Sequence, residues 1–208
     1  MNHHSYFLFG GESLMKRTKP KYKQIVDAAV IVIAENGYHQ AQVSKIAKEA
    51  GVADGTIYLY FKNKEDILIS VFREKMAIFI ENIKEILKKD LPIAEKLQLV
   101  VENHFRILEE DHHLAIVTQL ELRQSNKDLR LQINNVLKEY TVLLDTLLEE
   151  GVEKGELSPE LDLRLARQML FGTMDETITS WVMNEQKFDL VSLAPQVSNM
   201  LLHGYEQK

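Results

Sequence analysis

The sequence predicts an all-α protein with an N-terminal helix-turn-helix domain and a larger C-terminal helical domain. Apolar residues recur at helical spacing along most of the chain, and no segment shows the two-residue alternation typical of a strand. Breaks containing glycine or proline separate many of these periodic runs. With 45% hydrophobic residues, the 208-residue chain can bury one large core or two small ones.

The composition limits the cellular setting and the kind of partner. There is no cysteine, and no apolar run approaches the roughly 20 residues that a membrane-spanning helix needs, so we expect a cytoplasmic protein. The net charge of −6 argues against indiscriminate binding to nucleic acid. Residues 15–64, however, carry nine lysines and arginines against four acidic residues. A basic N-terminal region on an acidic chain is typical of localised phosphate binding.

The first 14 residues, MNHHSYFLFGGESL, lack the pattern of a signal peptide. We interpret them as an added leader outside the fold and expect the native chain to begin at Met15. The basic residues that follow form either a solvated tail or an arm that contacts phosphates. These residues are Lys16, Arg17, Lys19 and Lys21.

The first helix is predicted from Pro20, which suits a first helical position, to a stop at Asn36 and Gly37. Its apolar positions fall on one face of the helix, which would brace the helices that follow. They are Ile25, Ala28, Ala29, Val32 and Ile33.

Two short helices joined by a tight turn are predicted between Gln42 and Lys64. Apolar residues recur at i, i+3, i+4 and i+7 before Gly51, and a second apolar set follows it. These sets are Val43, Ile46, Ala47 and Ala50, then Val52, Ile57 and Phe61. Gly51 can adopt the positive φ that ends one helix and redirects the chain. This is the geometry of a helix-turn-helix.

The second helix of this pair, roughly 53–60, presents groups suited to the major groove of DNA. Gly55 lets the backbone approach a base edge, and Thr56 can hydrogen-bond a base or a phosphate. Tyr58 and Tyr60 suit phosphate contacts. The alternative is a small helical hairpin whose aromatic residues are structural and whose lysines are solvated.

A long amphipathic helix is predicted to begin at Asn63, next to the presumed DNA surface. Asn63 is a good N-cap, and the free N–H groups of the helix start, together with Lys64, would bind a phosphate. Apolar residues then recur for about six turns until Pro92 breaks the pattern. A shift at one end of this helix could therefore tilt the other.

After Pro92 every segment again has helical periodicity. The predicted helices cover roughly 93–110, 114–124, 127–150, 161–184 and 189–205. Gly151 and Gly155 punctuate one junction, and Ser158 with Pro159 is expected to cap the next helix. Pro195 should lie near the start of the last helix or kink it.

The last two helices carry more apolar surface than one monomer face usually needs. A single helix-turn-helix reads only a few base pairs, and two-fold dimers read palindromic half-sites. We therefore expect this pair to form a homodimer interface; the alternative is intramolecular core. The residues concerned are Leu165, Met169, Phe171, Gly172, Ile178, Trp181, Leu193, Val197, Met200, Leu201 and Leu202.

Charged and amide side chains interrupt the apolar helices of the C-terminal half. Because buried charge is costly unless paired, these groups are either on the surface or salt-bridged, with Glu121 and Asp175 as possible partners. Otherwise they bind an anionic ligand with an apolar tail, whose phosphates Arg106, Arg123 or Arg130 would hold. The tunnel would then be lined by Phe105, Leu120, Met169, Phe171 and Trp181. We divide the chain accordingly into a helix-turn-helix domain (15–64) and an effector-binding and dimerisation domain (65–208).

The sequence contains no recognisable catalytic motif. There is no cysteine nucleophile, no glycine-rich phosphate loop and no G-x-S-x-G. The adjacent His112 and His113 would point in different directions on a helix, so they do not predict a metal site. We expect neither an enzyme nor a resident cofactor or metal.

The run GVADGTIYLYFKNKEDIL, with the preceding AENGYHQAQVSKIAKEA, resembles the DNA-binding domain of TetR-family transcriptional repressors. The resemblance implies DNA contacts at Gln42, Ser44, Lys45, Ala53, Asp54, Gly55, Thr56, Tyr58, Tyr60 and Lys64. Ala41 and Gln42 stand where that family often has hydroxyl residues, and Ala53 replaces a frequent serine cap. Helix capping could then pass to Gln42 or Asp54.

The resemblance extends into the C-terminal half. The segments HLAIVTQLELRQSN and LDLRLARQMLFGTMDETITSWVMN resemble TetR-family repressors of fatty-acid degradation genes. This implies a homodimer that forms a four-helix interface, sits on palindromic operators in double-stranded DNA and is released by long-chain acyl-CoA. A regulator that responds to another amphipathic small molecule, or a helical ligand-binding or interaction protein, remains an alternative.

Overall fold

The computed structural model describes residues 20–205, and within that range it contains nine α-helices, one 3-10 turn and no strand. The all-α prediction is confirmed. The chain forms two compact units, of which the first ends at Val71 and the second begins at Phe72, somewhat later than the predicted boundary at Lys64. The predictions for residues 1–14 and for Lys16, Arg17 and Lys19 lie outside the described residues.

The first unit contains helices α1 (Pro20–Asn36), α2 (Val43–Glu49), α3 (Asp54–Ile57) and the start of α4 (Lys64–Leu87). The apolar faces predicted for α1 to α3 are buried together. Tyr22 of α1 stacks on Phe61, with ring centroids 5.1 Å apart. The core also includes Ile25, Ile33, Ile46, Ala47, Ile57, Ile67 and Leu68.

Glycines end α1 and α2 as predicted, with φ of +72° at Gly37 and +61° at Gly51. The capping prediction is wrong, because neither Gln42 nor Ala53 makes a side-chain cap and Asp54 is already the first residue of α3. At its C-terminal end, the short α3 runs into backbone turns from Leu59 N to Thr56 O (3.2 Å) and from Tyr60 N to Ile57 O (3.0 Å). Asn63 does cap α4, since its side-chain oxygen accepts from Asp66 N at 2.8 Å.

The second unit is built around α5, whose buried positions Leu97, Val101, Phe105 and Leu108 follow helical spacing. This helix packs against α6, α7, α8 and α9. The elements of the unit are the rest of α4, then α5 (Ile93–Glu110), α6 (His112–Glu121), α7 (Lys127–Glu153), α8 (Leu163–Met183), a 3-10 turn (Val191–Leu193) and α9 (Ala194–Tyr205). Within residues 20–205, no helix is both long enough and apolar enough to cross a membrane.

The junction between α7 and α8 differs from the prediction. Ser158 and Pro159 lie in a turn, and Asp162 caps α8 by accepting from Leu165 N at 3.0 Å. Gly151 does not end α7, because it lies inside the helix at a close approach. A Cβ atom there would come within 2.6 Å of the Leu157 side chain.

Candidate functional site

Helix α3 presents an exposed face that is fixed from beneath. Ile57 and Phe61 are buried and hold the helix to the first unit, while Tyr58 and Leu59 are 60% and 66% exposed. Gly55 is also exposed, and a Cβ atom added to it would meet nothing within 4 Å. The backbone is therefore open to a partner at Gly55, which is the property predicted for a base-reading helix.

The two tyrosines predicted to contact phosphates differ in their surroundings. The Tyr58 ring is exposed. Tyr60 is half-buried, and its ring lies 6.4 Å from the ring of Tyr22 and 6.4 Å from that of Phe61, measured between centroids. Thr56 is half-buried as well. The Tyr60 ring therefore has a packing role in addition to the phosphate contact predicted for its hydroxyl.

At the start of α2, the predicted contacts Gln42, Ser44 and Lys45 are all exposed. The Lys45 ammonium donates to the side-chain oxygen of Asn36 at 2.8 Å. Asp54 and Ala53 are exposed at the start of α3. The structure thus places these predicted contacts on the surface of the first unit.

Lys64 has a structural role that the sequence did not reveal. Its ammonium group donates to the carbonyl oxygens of His39 (3.0 Å) and Ala41 (3.1 Å) and lies 4.6 Å from the centroid of the Tyr38 ring. A lysine has three donors, so one is left for a phosphate. We therefore assign Lys64 first to fixing the segment that precedes α2.

The second unit contains a small interior cavity of about 30 Å³. Five helices contribute its walls, which are mainly aromatic and aliphatic. The lining residues are Phe72, Met76 and Phe79 of α4, His104 and Leu108 of α5, Thr118 and Gln119 of α6, Leu122 just after α6, Leu137 of α7, and Phe171 and Asp175 of α8. Phe72, Met76 and Phe79 were predicted only as part of an amphipathic stripe.

Polar groups in the cavity wall have partners within the fold. Arg123 forms an ion pair with Asp175 and keeps a largely exposed side chain. The side-chain amide of Gln119 lies 3.0 Å from a carboxylate oxygen of Asp175, a distance at which its NH₂ group donates to that oxygen. The ion pair with Arg123 confirms Asp175 as an arginine partner. The ion pair therefore joins an outward-facing cation to the cavity wall.

A second polar pair lies beside the cavity. The Tyr140 hydroxyl and His104 Nδ1 are 2.7 Å apart. Burial lowers the pKa of His104 to about 4 and raises the pKa of Tyr140, because the interior disfavours the charged form of each group. His104 is therefore neutral near pH 7.

Most of the residues predicted to line a ligand tunnel lie outside the wall of this cavity. Phe171 alone of the predicted lining lies in the cavity wall. Phe105 is buried in the α5 core, and Trp181 is buried with its indole N–H donating to Phe188 O at 2.7 Å. Leu120 and Met169 are exposed. Both belong to amphipathic helices whose inner face begins one position away, which periodicity alone resolves poorly.

The two remaining arginines of the predicted phosphate set lie on the surface with local partners. Arg106 pairs with Glu102 one turn earlier on α5. Arg130 donates to the carbonyl oxygens of Gln124 (3.0 Å) and Ser125 (3.3 Å), and so closes the turn before α7. The salt-bridged alternative is therefore the arrangement observed for Arg106, and Arg130 is held by backbone carbonyls.

The candidate dimer face is an open groove of about 620 Å³ beside α8. Met169 lines it and is 46% exposed, while Leu165 of the same helix and Met200 of α9 are 53% and 69% exposed. The groove is lined by Gln168, Met169, Gly172, Thr173, Glu176, Thr177, Ser180, Phe188 and Leu193. Other residues predicted for the interface, namely Ile178, Trp181 and Leu201, are buried within the monomer and belong to its core.

Comparison with known proteins gives relatives along nearly the whole chain. Residues 25–71 match the family model "Bacterial regulatory proteins, tetR family", and residues 72–204 match "YsiA-like protein, C-terminal region". The chain is 63% identical over 194 residues to the fatty acid metabolism regulator protein of Bacillus subtilis, covering 93% of this chain and 100% of that protein.

Comparison with solved structures shows the same relationship. The transcriptional regulator FadR from B. subtilis, in complex with stearoyl-CoA, superposes with a TM-score of 0.86 at 64% identity, covering 89% of this chain and 100% of that one. FadR from Bacillus halodurans gives a TM-score of 0.86 at 62% identity with the same coverage. These relatives are regulators of transcription and not enzymes. The chain therefore belongs to the TetR family of bacterial transcriptional regulators.

Proposed function

We propose that this protein represses fatty-acid degradation genes by binding palindromic operators as a homodimer and is released by long-chain acyl-CoA. The observation that carries the proposal is its 63% identity to a fatty acid metabolism regulator over that protein's full length. A regulator of this kind acts in the cytoplasm.

The first unit supplies the operator contacts. Residues in and next to α2 and α3 read the groove and position the duplex. They are the exposed Gln42, Ser44, Lys45, Ala53, Asp54, Gly55 and Tyr58 and the half-buried Thr56, with Tyr60 and the remaining donor of Lys64 at phosphates. The arm before α1 adds charge that strengthens binding at low salt.

The homodimer forms through α8 and α9, because both helices carry exposed apolar residues and α8 lines the groove described above. Leu165, Met169 and Met200 are large apolar side chains that a monomer leaves in water. Pairing two copies about a two-fold axis buries both sets and sets two reading helices against successive half-sites.

The interior cavity is the proposed site for the acyl chain. At about 30 Å³ it is far smaller than the roughly 150 Å³ cavity that admits a benzene molecule, so a long chain enters only if the walls separate. Phe72, Met76 and Phe79 belong to α4, which begins at Lys64 in the first unit. When the cavity opens by movement of α4, the helix that begins in the DNA-reading unit is displaced. Arg123, largely exposed and tied to Asp175 of the wall, is positioned for a phosphate of coenzyme A.

A titration tests the proposal. Fluorescence anisotropy at fixed salt is measured on a palindromic operator from the promoter of a fatty-acid oxidation gene, with stearoyl-CoA, stearate or coenzyme A added. We expect tight binding that stearoyl-CoA relieves and that the two fragments do not. The matched control DNA carries an insertion of about half a helical turn between the half-sites, which separates the reading helices from their grooves.

The outcomes test two points separately: whether acyl-CoA is the effector, and whether the protein binds its operator specifically. Equal operator affinity with saturating acyl-CoA rules it out as effector, because a ligand shifts an equilibrium only by its differential affinity for the two states. A TetR-family regulator that responds to another amphipathic molecule then takes its place. Equal binding to the operator and the control DNA removes the specific repressor role.

A further inference from the structure

Leu59 is an unusually exposed leucine in the middle of the reading face. Its side chain is 66% exposed, more than that of Tyr58 beside it at 60%. It lies in the turn that directly follows α3, four residues after the exposed Gly55. Neither composition nor the family resemblance singled out Leu59 as a DNA contact.

The position of Leu59 is fixed by the fold. Its amide donates to Thr56 O at 3.2 Å, and the next turn closes from Phe61 N to Ile57 O at 3.0 Å. Ile57 and Phe61 on either side are buried. The leucine is therefore held outward on a rigid support and does not belong to a mobile loop.

Its surroundings are polar, and every other large aliphatic residue in the described part of the first unit is buried or half-buried. The exposed neighbours of the turn are Asp54, Gly55, Tyr58 and Lys62. A duplex seated on this face with its groove at Gly55 covers Leu59. In the major groove the edges of the bases are hydrogen-bonding groups, and the apolar exception is the 5-methyl group of thymine.

We propose that Leu59 packs against a thymine 5-methyl group in each operator half-site and so specifies that base pair. This inference rests on the proposed operator binding. Leu59 reads sequence by an apolar contact, whereas Tyr58 positions the backbone.

The test is a coupling measurement between one side chain and one methyl group. An operator is first selected from a random-sequence library with the wild-type protein, and each thymine of both half-sites is then replaced by deoxyuridine in turn. Loss of the contacted methyl group should weaken wild-type binding about fourfold per half-site, the equivalent of ~0.8 kcal/mol. Leu59→Ala should bind the thymine and deoxyuridine operators equally at that position.

Three variants control the interpretation. Leu59→Met keeps an apolar side chain and should keep the thymine preference. Tyr58→Ala should weaken binding to both operators and leave their ratio unchanged. Leu131→Ala removes a 49% exposed leucine from α7, far along the chain from the reading face, and should bind both operators like the wild-type protein.

The outcomes distinguish this inference from the proposed function. If Leu59→Ala keeps the full sensitivity to deoxyuridine, or if no thymine of a specifically bound operator is sensitive in the wild-type protein, the thymine contact is wrong and the repressor stands. Failure of the wild-type protein to select any specific sequence overturns both.

Discussion

The ammonium group of Lys64 lies 4.6 Å from the centroid of the Tyr38 ring and donates to the carbonyl oxygens of His39 and Ala41. This contact joins the first residue of α4 to the segment that leads into α2. Because the Lys64 ammonium group contacts a ring face and two carbonyl oxygens, it contributes to the stability of the fold. Its substitution will therefore change folding as well as DNA binding.

Lys64→Met should lower the free energy of unfolding by about 1–2 kcal/mol, since charge-assisted hydrogen bonds and a cation–π contact are lost. Thermal unfolding followed by circular dichroism measures this, with operator affinity measured in parallel. Lys62→Met is the matched control, because Lys62 is exposed and its truncation should change stability by about 0.5 kcal/mol or less. Weaker operator binding at unchanged stability would show that Lys64 acts on phosphate alone.

Local sequence patterns predicted where the helices lie. Contacts between residues distant in sequence could not be predicted. The bounds of α5, Ile93–Glu110, follow from Pro92 and a clear apolar period. The Lys64 contact spans 25 residues to His39, and no local pattern encodes it. The placement of Trp181 in the monomer core, where the sequence favoured an interface or a tunnel, likewise depends on which helix packs on which.

Lys96 should be a strong stabiliser of the second unit. Its buried ammonium donates to both carboxylate oxygens of Glu150 (2.7 and 3.0 Å) and to Leu87 O at the end of α4 (3.0 Å). Lys96→Met should cost about 3 kcal/mol, because it breaks a buried pair and leaves two acceptors without this donor. Lys154→Met removes the more exposed partner of the same carboxylate and should cost much less, because solvent screens an exposed ion pair. Equal losses in urea unfolding would contradict the difference in burial.

Stability should fall as the pH drops from 6.5 towards 4 because of His104. In the unfolded chain this histidine takes up a proton near pH 6.5, whereas burial lowers its pKa to about 4 in the fold. Between pH 6.5 and 4 the unfolded state thus binds more protons than the folded state. The contribution of His104 to the free energy of unfolding is complete above this window and falls within it by up to about 1.4 kcal/mol per pH unit as the pH decreases. Urea unfolding at pH 7 and pH 5 should show a smaller difference for His104→Gln. The exposed His113→Gln serves as control, and an unchanged pH response in His104→Gln would contradict the prediction.

Thr118→Ile should make the regulator insensitive to its effector without unfolding it. The Thr118 hydroxyl lines the cavity and donates to Leu114 O and Ala115 O of its own helix, so its loss leaves no distant partner. The ethyl group that replaces the hydroxyl is larger and fills space that the acyl chain must enter, and an overpacked interior costs about 1–3 kcal/mol. We expect the stearoyl-CoA concentration for half-release of the operator to rise about tenfold. Thr146→Ile makes the same change at an exposed position of α7, and an equal shift there would exclude the cavity as the cause.

Met169→Glu should separate the dimer. Met169 is 46% exposed on α8 and lines the groove assigned to the interface, so a two-fold pair would bury two unpaired carboxylates. Leaving even one of these buried charges unpaired costs about 3–5 kcal/mol, which by itself weakens dimer affinity on the order of a thousandfold. Sedimentation velocity at micromolar concentration measures the change, with Leu131→Glu on α7 as a control of similar exposure. Because one reading unit contacts only a half-site, a monomeric variant should also lose most of its operator affinity while it keeps its helical content.

A dimer that persists would place the interface on another face and leave the exposed methionines of α8 and α9 without a partner.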